Sequence, residues 1–446
     1  MRFCSPARLA LACALAFSAA MPAHAQSLAE VFEIARGYDA TYLAARALAD
    51  SAQYRVAQAR AGLRPSVGLS ADYTRTEQNG FQDQTSRGPS AMVSGKQPLF
   101  NRNASVSIEQ AERAADVSMA DLQAAEQELI VRVAQTYFDV LAAQDTLASA
   151  RAGKSAIAEQ LASAKRNFEV GTATITDTRE AQARFDLSTA EEIAAENDLR
   201  IKRLALDQLV GRSGVDPRPL ATPVALPPPM PDNVEAWVNQ TETSPSVRRA
   251  LLGYDIARLE TEKARAGHLP TVDFEAGYGR GHAKQTSTTP TALGTNTGSY
   301  NGSTMQSSVG ITLRVPLFSG FAVQNRVKET LALEEQSRNN LDAARRTVAQ
   351  ATRTAFFGVQ SGQARVKALE AAESSSQLAL EATQLGYKVG VRVNLDVLNA
   401  QTQLYSTRRD LAKARYDVIV NNLRLRQAAG QLETADIAAA NQLLAR

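Results

Sequence analysis

The chain of 446 residues is poorest in the groups that do covalent and metal chemistry. Its two cysteines, Cys4 and Cys13, both fall in the first 25 residues. There Arg2 and Arg8 lead into a short apolar stretch, Leu9 to Ala20, and the small residues of "AHA" end at Ala25, the layout of a secretory signal. A chain exported and cut after residue 25 has no thiol, no disulfide and no thiolate metal ligand. A lipid anchor would need Cys13 at the cleavage point, and Ala10, Leu11 and Ala12 are a poor sequence for one. Of the three histidines, His268 and His282 lie beyond the leader, out of ligand spacing, and neither a glycine-rich phosphate loop nor a nucleophile elbow is present. No cofactor, metal or catalytic residue is expected, and a hydrolase working with carboxylates alone is the enzyme reading left open. Charge of one sign is lacking too. Beyond residue 25 there are 47 basic and 46 acidic residues, which offers nucleic acid nothing to hold through bulk charge. Nor does any later apolar run approach the ~18 residues a membrane-crossing helix needs.

What is present is a repeat. "ARAGLRPSVGLSADYTR" at residues 59–75 returns as "ARAGHLPTVDFEAGYGR" at 264–280, identical at nine of 17 positions. "QPLF" at 97–100 returns as "VPLF" at 315–318, and "VGTATITDTREAQ" at 170–182 as "VGVRVNLDVLNAQ" at 389–401. The spacing shows 13 additional residues between the strands of the second half, in a Ser/Thr/Gly-rich segment at 282–306 that reads as a long solvated loop. Between the halves, seven prolines from Pro217 to Pro231 forbid regular helix and indicate an extended connector. The layout expected is a signal at 1–25, a first repeat at 26–215, a connector at 216–232, a second repeat at 233–432 and a tail at 433–446. Each repeat reads as helix, strand, loop, strand, long helix, turn, helix.

The last helix has the clearest period. Val397, Leu404, Leu411, Val418, Leu425 and Leu432 fall seven apart, with Ala400, Thr407 and Ala414 between them, which is a coiled-coil seam. A soluble coiled-coil protein would show the same. The helix lengths are more particular. At ~1.5 Å per residue, 103–169 extends about 100 Å while 27–61 and 177–210 extend about 50 Å each, and 319–388, 233–266 and 396–429 repeat the arithmetic. Two half-length helices end to end match one full-length helix.

Residues 66–74, 89–99, 271–279 and 307–317 each have about the 9 to 11 residues that cross a bilayer as a tilted strand. In the last, Val309, Ile311, Leu313, Val315 and Leu317 form one face and Ser308, Gly310, Thr312 and Arg314 the other. Lipid outside and water inside a barrel give that pattern, and so does a half-buried soluble sheet. Four strands cannot close a barrel, and open edges are not tolerated in lipid. Strands in a membrane would therefore be shared among chains, three chains giving twelve.

The duplicated layout resembles the TolC family of outer-membrane efflux and secretion ducts over essentially the whole mature chain. The residues that carry the resemblance are the helix-to-strand switches at Gly62 and Pro65 and at Gly267 and Pro270, and the strand exits at Pro98 and Pro316. The most specific is the run from Tyr387 to Leu432 that begins "YKVGVRVNLDVLNAQ". The resemblance implies a mixed α and β membrane protein: a duplicated long-helix coiled-coil tunnel with four transmembrane strands per chain, forming a 12-stranded β-barrel as a trimer. It implies a passive exit duct in the bacterial outer membrane, with the tunnel in the periplasm. The expected partners are two further copies, outer-membrane lipid, a periplasmic adaptor protein and an inner-membrane ABC or proton-driven transporter. It also implies an aperture gate made by Tyr387 and Arg392 reaching Thr176 and Asp177, and an aperture ring at Asp396 and Asn399. The asparagine departs from the family's second acidic position and weakens the case for cation selectivity.

The gate residues have a reading of their own. Gly171 and Gly390 suit helix ends, and capping alone accounts for Asp177 and Asp396 at the following helix starts. It does not account for Arg392, a cation before a helix N-terminus, which asks for a partner carboxylate. A trimeric coiled-coil scaffold or adhesin without transport is the competing function. Adhesins of the autotransporter type gather their strands in one C-terminal block, whereas here strands sit in both halves.

Overall fold

The computed structural model describes residues 25–80, 82–221, 223–224 and 226–445. Apart from Ala25, the stretch read as a signal lies outside the described residues. The first half comprises α1 (Leu28–Tyr38), α2 (Ala40–Ala61), β1 (Ser66–Gln78), β2 (Asp83–Phe100), α3 (Arg102–Glu169) and α4 (Ile175–Val210). The second comprises α5 (Val234–Asn239), α6 (Pro245–Arg265), β3 (Thr271–Thr291), β4 (Gly294–Arg314), α7 (Ala322–Lys388) and α8 (Asn394–Ala428), followed by a short α9 (Thr434–Asn441). The chain forms two compact units. One contains the residues through Ala44, Gln123–Pro245 and those from Arg345 on; the other contains Ala45–Leu122 and Ser246–Ala344.

The second unit holds the sheet, antiparallel throughout in the order β1-β2-β3-β4. One expectation fails here. Residues 282–306 are not a loop: β3 and β4 run on past the repeated segment and pair residue by residue from His282↔Ser303 to Thr291↔Gly294. Only Ala292 and Leu293 separate the strands, and Gly294 takes a φ of 132°. The Thr-rich sequence suits a strand, and with water on both sides it needs no apolar face, so its composition resembles that of a loop. The other end of β4 is shorter than expected, because the strand stops at Arg314 and Val315 to Phe318 carry no strand pairing. In the same unit, Glu260 ties α6 to its neighbours, accepting from Arg326 of α7 at 2.7 Å and Gln110 of α3 at 2.8 Å. Burial by itself would raise the Glu260 carboxyl; these hydrogen bonds and the Lys263 and Arg326 charges outweigh it and hold the group below the usual carboxylate range.

The first unit is helical. The six seven-apart residues from Val397 to Leu432 are all buried, at 3% exposure or less, and of the residues between them Thr407 and Ala414 are buried and Ala400 half-buried. Trp237 of α5 packs with Phe356, Val359, Leu425 and Ala429, and its indole N–H donates to the Pro231 carbonyl at 2.8 Å. Tyr137 and Phe138 meet edge to face, and Phe138 stacks on Tyr416. The Tyr416 hydroxyl donates to Asp145 at 2.6 Å; burial pushes both groups up, the shared hydrogen bond opposing this for the carboxyl.

Two of the half-length helices are interrupted. Asp39 (φ −59°, ψ 114°) separates α1 from α2. Its carboxylate accepts from the Tyr42 N–H at 2.8 Å and from Arg132 at 2.7 Å, so an N-cap and an ion pair fix the break. Between α5 and α6 a 3₁₀ turn at Gln240–Thr243 intervenes, and Pro245 begins α6 where its missing N–H is harmless. The described part of the connector has no regular helix, and isolated bridges join Gln26 to Pro217 and Leu220 to Leu444. Arg426 fastens α9 to α8 through Asp436 at 2.6 Å.

Candidate functional site

The sheet is built inside out for water. Val67, Leu69, Ala71 and Tyr73 of β1 share a face with Val93 of β2, Tyr278 of β3, and Val309, Ile311 and Leu313 of β4, by register and two-residue alternation. These side chains are bare; Leu69 is 75% and Val309 76% exposed. The other face carries the polar contacts. Lys96 reaches Asp273 at 2.8 Å and Glu275 at 3.7 Å, and Ser90 donates to Asp72 at 2.7 Å. A soluble half-sheet would bury the first face. A continuous apolar face left open, against a polar face with internal ion pairs, is the arrangement of a barrel wall between lipid and water. β1 and β4 are the sheet's edges, and further strands are needed to close them.

The switch residues stand where helix gives way to strand. Pro65 immediately precedes β1 and Pro270 immediately precedes β3. Gly62 closes the turn after α2, its N–H donating to Ala59 at 3.0 Å. Gly267 lies in a 3₁₀ turn, Ala266–His268, where a Cβ would come within 3.2 Å of Val323. Pro98 falls inside β2, at a register shift against β3, and Pro316 lies just past β4. Beyond it the apolar Leu317 and Phe318 are 93% and 74% exposed, at the helix-bearing end of the sheet.

The two inter-helix turns, both in the first unit, are one structure used twice. Gly171 and Gly390 adopt φ of 77° and 81°, which a side chain would strain. The N–H groups of Thr172 and Ala173 donate back to Asn167, and those of Val391 and Arg392 back to Gly386, at 2.8 to 3.2 Å. Past the glycine the copies diverge. In the first, Thr174 caps α4 with a reciprocal box: Asp177 accepts from the Thr174 N–H at 2.9 Å and hydroxyl at 2.8 Å, and the Asp177 N–H donates to the Thr174 hydroxyl at 3.2 Å. In the second the cap position is Val393, which has no side-chain oxygen. Asp396, freed from capping, pairs with Arg392 at 3.6 Å. Gly386 makes room for this, since a Cβ there would meet the Arg392 stem at 2.7 Å.

Within one chain, then, Arg392 meets Asp396 and Asp177 is held by its cap. Thr176 is the exposed residue before Asp177 in the first turn of α4. Tyr387 accepts a hydrogen bond from Asn167 at 3.0 Å and packs on Leu380, Val397 and Leu404. Asn399 accepts from Arg184 at 2.9 Å. Three residues that sequence reasoning missed join the turns. The buried Asn394 donates to the Asp177 carbonyl at 3.3 Å and accepts from Gln160, while Asn167 holds Tyr387. The repeat itself offered one signal, an asparagine at 394 where the first copy has Ile175.

A wall with lipid on one side and water on the other, joined to long helices that end in matched turns, defines a membrane duct. Both halves of the chain match one family model, that of the outer membrane efflux proteins, over residues 34–212 and 239–431. The chain is similar to the outer membrane protein TolC of Vibrio cholerae, 33% identical over 417 residues, covering 93% of this chain and 92% of that one. It is also similar to the alkaline protease secretion protein AprF of Pseudomonas aeruginosa, 34% identical over 86% of this chain and 80% of that one. Among solved structures, the outer membrane protein VceC of Vibrio cholerae superimposes with a TM-score of 0.74 over 90% of this chain and 96% of that one, at 17% identity. The chain belongs to the outer membrane efflux protein family. It is an outer-membrane exit duct with a periplasmic helical tunnel, whose four strands per chain close a twelve-stranded barrel in a trimer.

Proposed function

We propose that this duct is the passive outer segment of a three-part export assembly. In this reading it takes cargo from an inner-membrane ABC or proton-driven transporter through a periplasmic adaptor, and contributes no enzymatic activity. One observation carries the proposal. The inter-helix turns expose Val170, Ile175, Val389, Val391 and Val393 together, Val170 and Val391 at 72% and 76%. Exposed apolar clusters on an otherwise polar end mark a surface meant to be covered, and an adaptor meeting the tunnel there would cover it. The relatives' names agree, since AprF of Pseudomonas aeruginosa and PrtF of Dickeya chrysanthemi are secretion proteins for proteases.

The same turns would serve as the gate. The Arg392–Asp396 pair is exposed, at 62% and 37%, so it contributes about 0 to 1 kcal/mol and holds the guanidinium weakly. Arg392 is thus available to a first-turn carboxylate, Asp177, when the copies come together around the aperture. Tyr387 would hold the second turn in place, and Asp396 and Asn399 would line the opening.

Replacing Val170 and Val391 together by glutamate tests the docking surface. The expected result is loss of export, read as at least a fourfold rise in the sensitivity of cells to dyes and detergents, with trimer assembly unchanged. Full export by the double variant would remove the turns as the docking surface.

A further inference from the structure

The outward face of the sheet changes character abruptly toward its hairpin ends. Above Tyr73 and Tyr278, the next outward positions are cationic. Arg75 of β1 lies directly opposite Arg87 of β2, and Arg87 directly opposite Lys284 of β3. Three cations therefore stand in one row across three adjacent strands, about 5 Å apart from strand to strand. Arg280, opposite Ala91 and Met305, adds a fourth on the same face. All four side chains are exposed.

Like charges directly opposite one another on neighbouring strands are destabilising, and the cost grows where lipid displaces water. Little inside the chain relieves it. Glu77 accepts from Arg75 at 2.8 Å, but no ion pair among the described residues engages Arg87, Arg280 or Lys284. The inward face behaves differently, its Lys96 being matched by both Asp273 and Glu275. Arg87, Arg280 and Lys284 are left for an anion that the described residues do not supply.

Their level indicates which anion. The helices join the sheet at Ser66, Phe100, Thr271 and Arg314, so the opposite strand ends, at Gln78 and Asp83 and at Thr291 and Gly294, are the ends remote from the periplasm. Between the two ends lies the apolar band, whose last outward apolar residue is Tyr73 on β1 and, two register rows nearer the periplasm, Tyr278 on β3. Arg75 follows Tyr73 and Arg280 follows Tyr278 as the next outward residue on each strand, at the headgroup level of the outer leaflet, with Arg87 and Lys284 in the row of Arg75.

We propose that Arg75, Arg87, Arg280 and Lys284 form a binding site for the phosphate groups of an outer-leaflet glycolipid, one site on each copy around the barrel. The row is wide enough for more than one phosphate of a single headgroup, and direct guanidinium contact makes bridging divalent cations unnecessary. The inference rests on the outer-membrane assignment and is independent of the docking and gating readings.

The test is the thermal denaturation of detergent-purified, delipidated trimer in EDTA, titrated with purified lipopolysaccharide, the same lipid dephosphorylated, or inorganic phosphate at equal phosphate concentration. The intact lipid is expected to raise the midpoint by several degrees, and the other two to leave it within a degree. Changing Arg87, Arg280 and Lys284 together to glutamine should weaken the intact lipid's effect at least fivefold while the trimer and its conductance persist. An equal shift from the dephosphorylated lipid would overturn the proposal, and so would an equal response of the variant. An equal shift from inorganic phosphate would show an anion site that does not select a lipid, and would overturn it as stated. Because the wild-type comparison needs no variant, a failure of the triple substitution to assemble leaves the test intact.

Discussion

Leu69→Arg should abolish assembly of the duct in the outer membrane, while Ser70→Arg, one residue along the same strand, should be tolerated. Leu69 is the second of four outward apolar residues on β1, inside that strand's apolar run, and Ser70 points to the opposite face. An arginine facing lipid near mid-membrane in a β-barrel costs about 2 to 4 kcal/mol, and a trimer incurs it three times. The inward arginine lies along a water-filled lumen already lined by Asp72, Lys96 and Glu275. Envelope fractionation with quantification of folded trimer should show more than a tenfold loss for Leu69→Arg and less than a twofold change for Ser70→Arg. Equal tolerance of both would mean that the apolar face does not meet lipid.

The second large effect is expected at the gate. If Arg392 bridges to Asp177 across the closed aperture, three symmetry-related exposed pairs at about 0.2 to 1 kcal/mol each bias the closed state by roughly 1 to 3 kcal/mol. Arg392→Ala would then shift the opening equilibrium by roughly 5- to 150-fold, visible as a raised mean conductance of single trimers. Asp177→Asn is the informative partner, because an asparagine retains an acceptor for the α4 cap while removing the charge. The two substitutions together should open the duct no further than either alone. If Asp396→Asn reproduces the effect and Asp177→Asn is silent, the internal pair at 3.6 Å is the only one that matters, and the latch between turns is refuted.

The parts of this molecule written in strong periods could be read before any coordinates. The six seven-apart residues from Val397 to Leu432 are buried because a seven-residue apolar repeat leaves one face to pack. Three of the four strands were legible because lipid on one side and water on the other force alternation, which β2, with Gly95 and Gln97 at outward positions, does not keep. Where both sides are wet the force disappears, and residues 282–306 looked like a loop although they pair throughout as a hairpin. The break at Asp39 was hidden for a related reason: alanine-rich flanks propagate a helical pattern through it, and the ion pair with Arg132 that fixes it is 93 residues distant. At the turns, Gly171 and Gly390 could be read from conformation alone. The contacts of Asn167, Gln160 and Asn394 could not, since each is a single polar side chain whose partner lies across a helix junction. The change from Thr174 to Val393 was visible in the repeat. Its consequence, a free Asp396 beside Arg392, needed the structure.

An outer-membrane exit duct must carry ions through a water-filled path. The most direct measurement is the conductance of the purified wild-type protein in a planar lipid bilayer, with its trimeric state verified beforehand. The expected record is a single class of small, uniform current steps from a nearly closed duct. No current from a correctly assembled trimer would contradict the account and leave the long helices and strands as a scaffold.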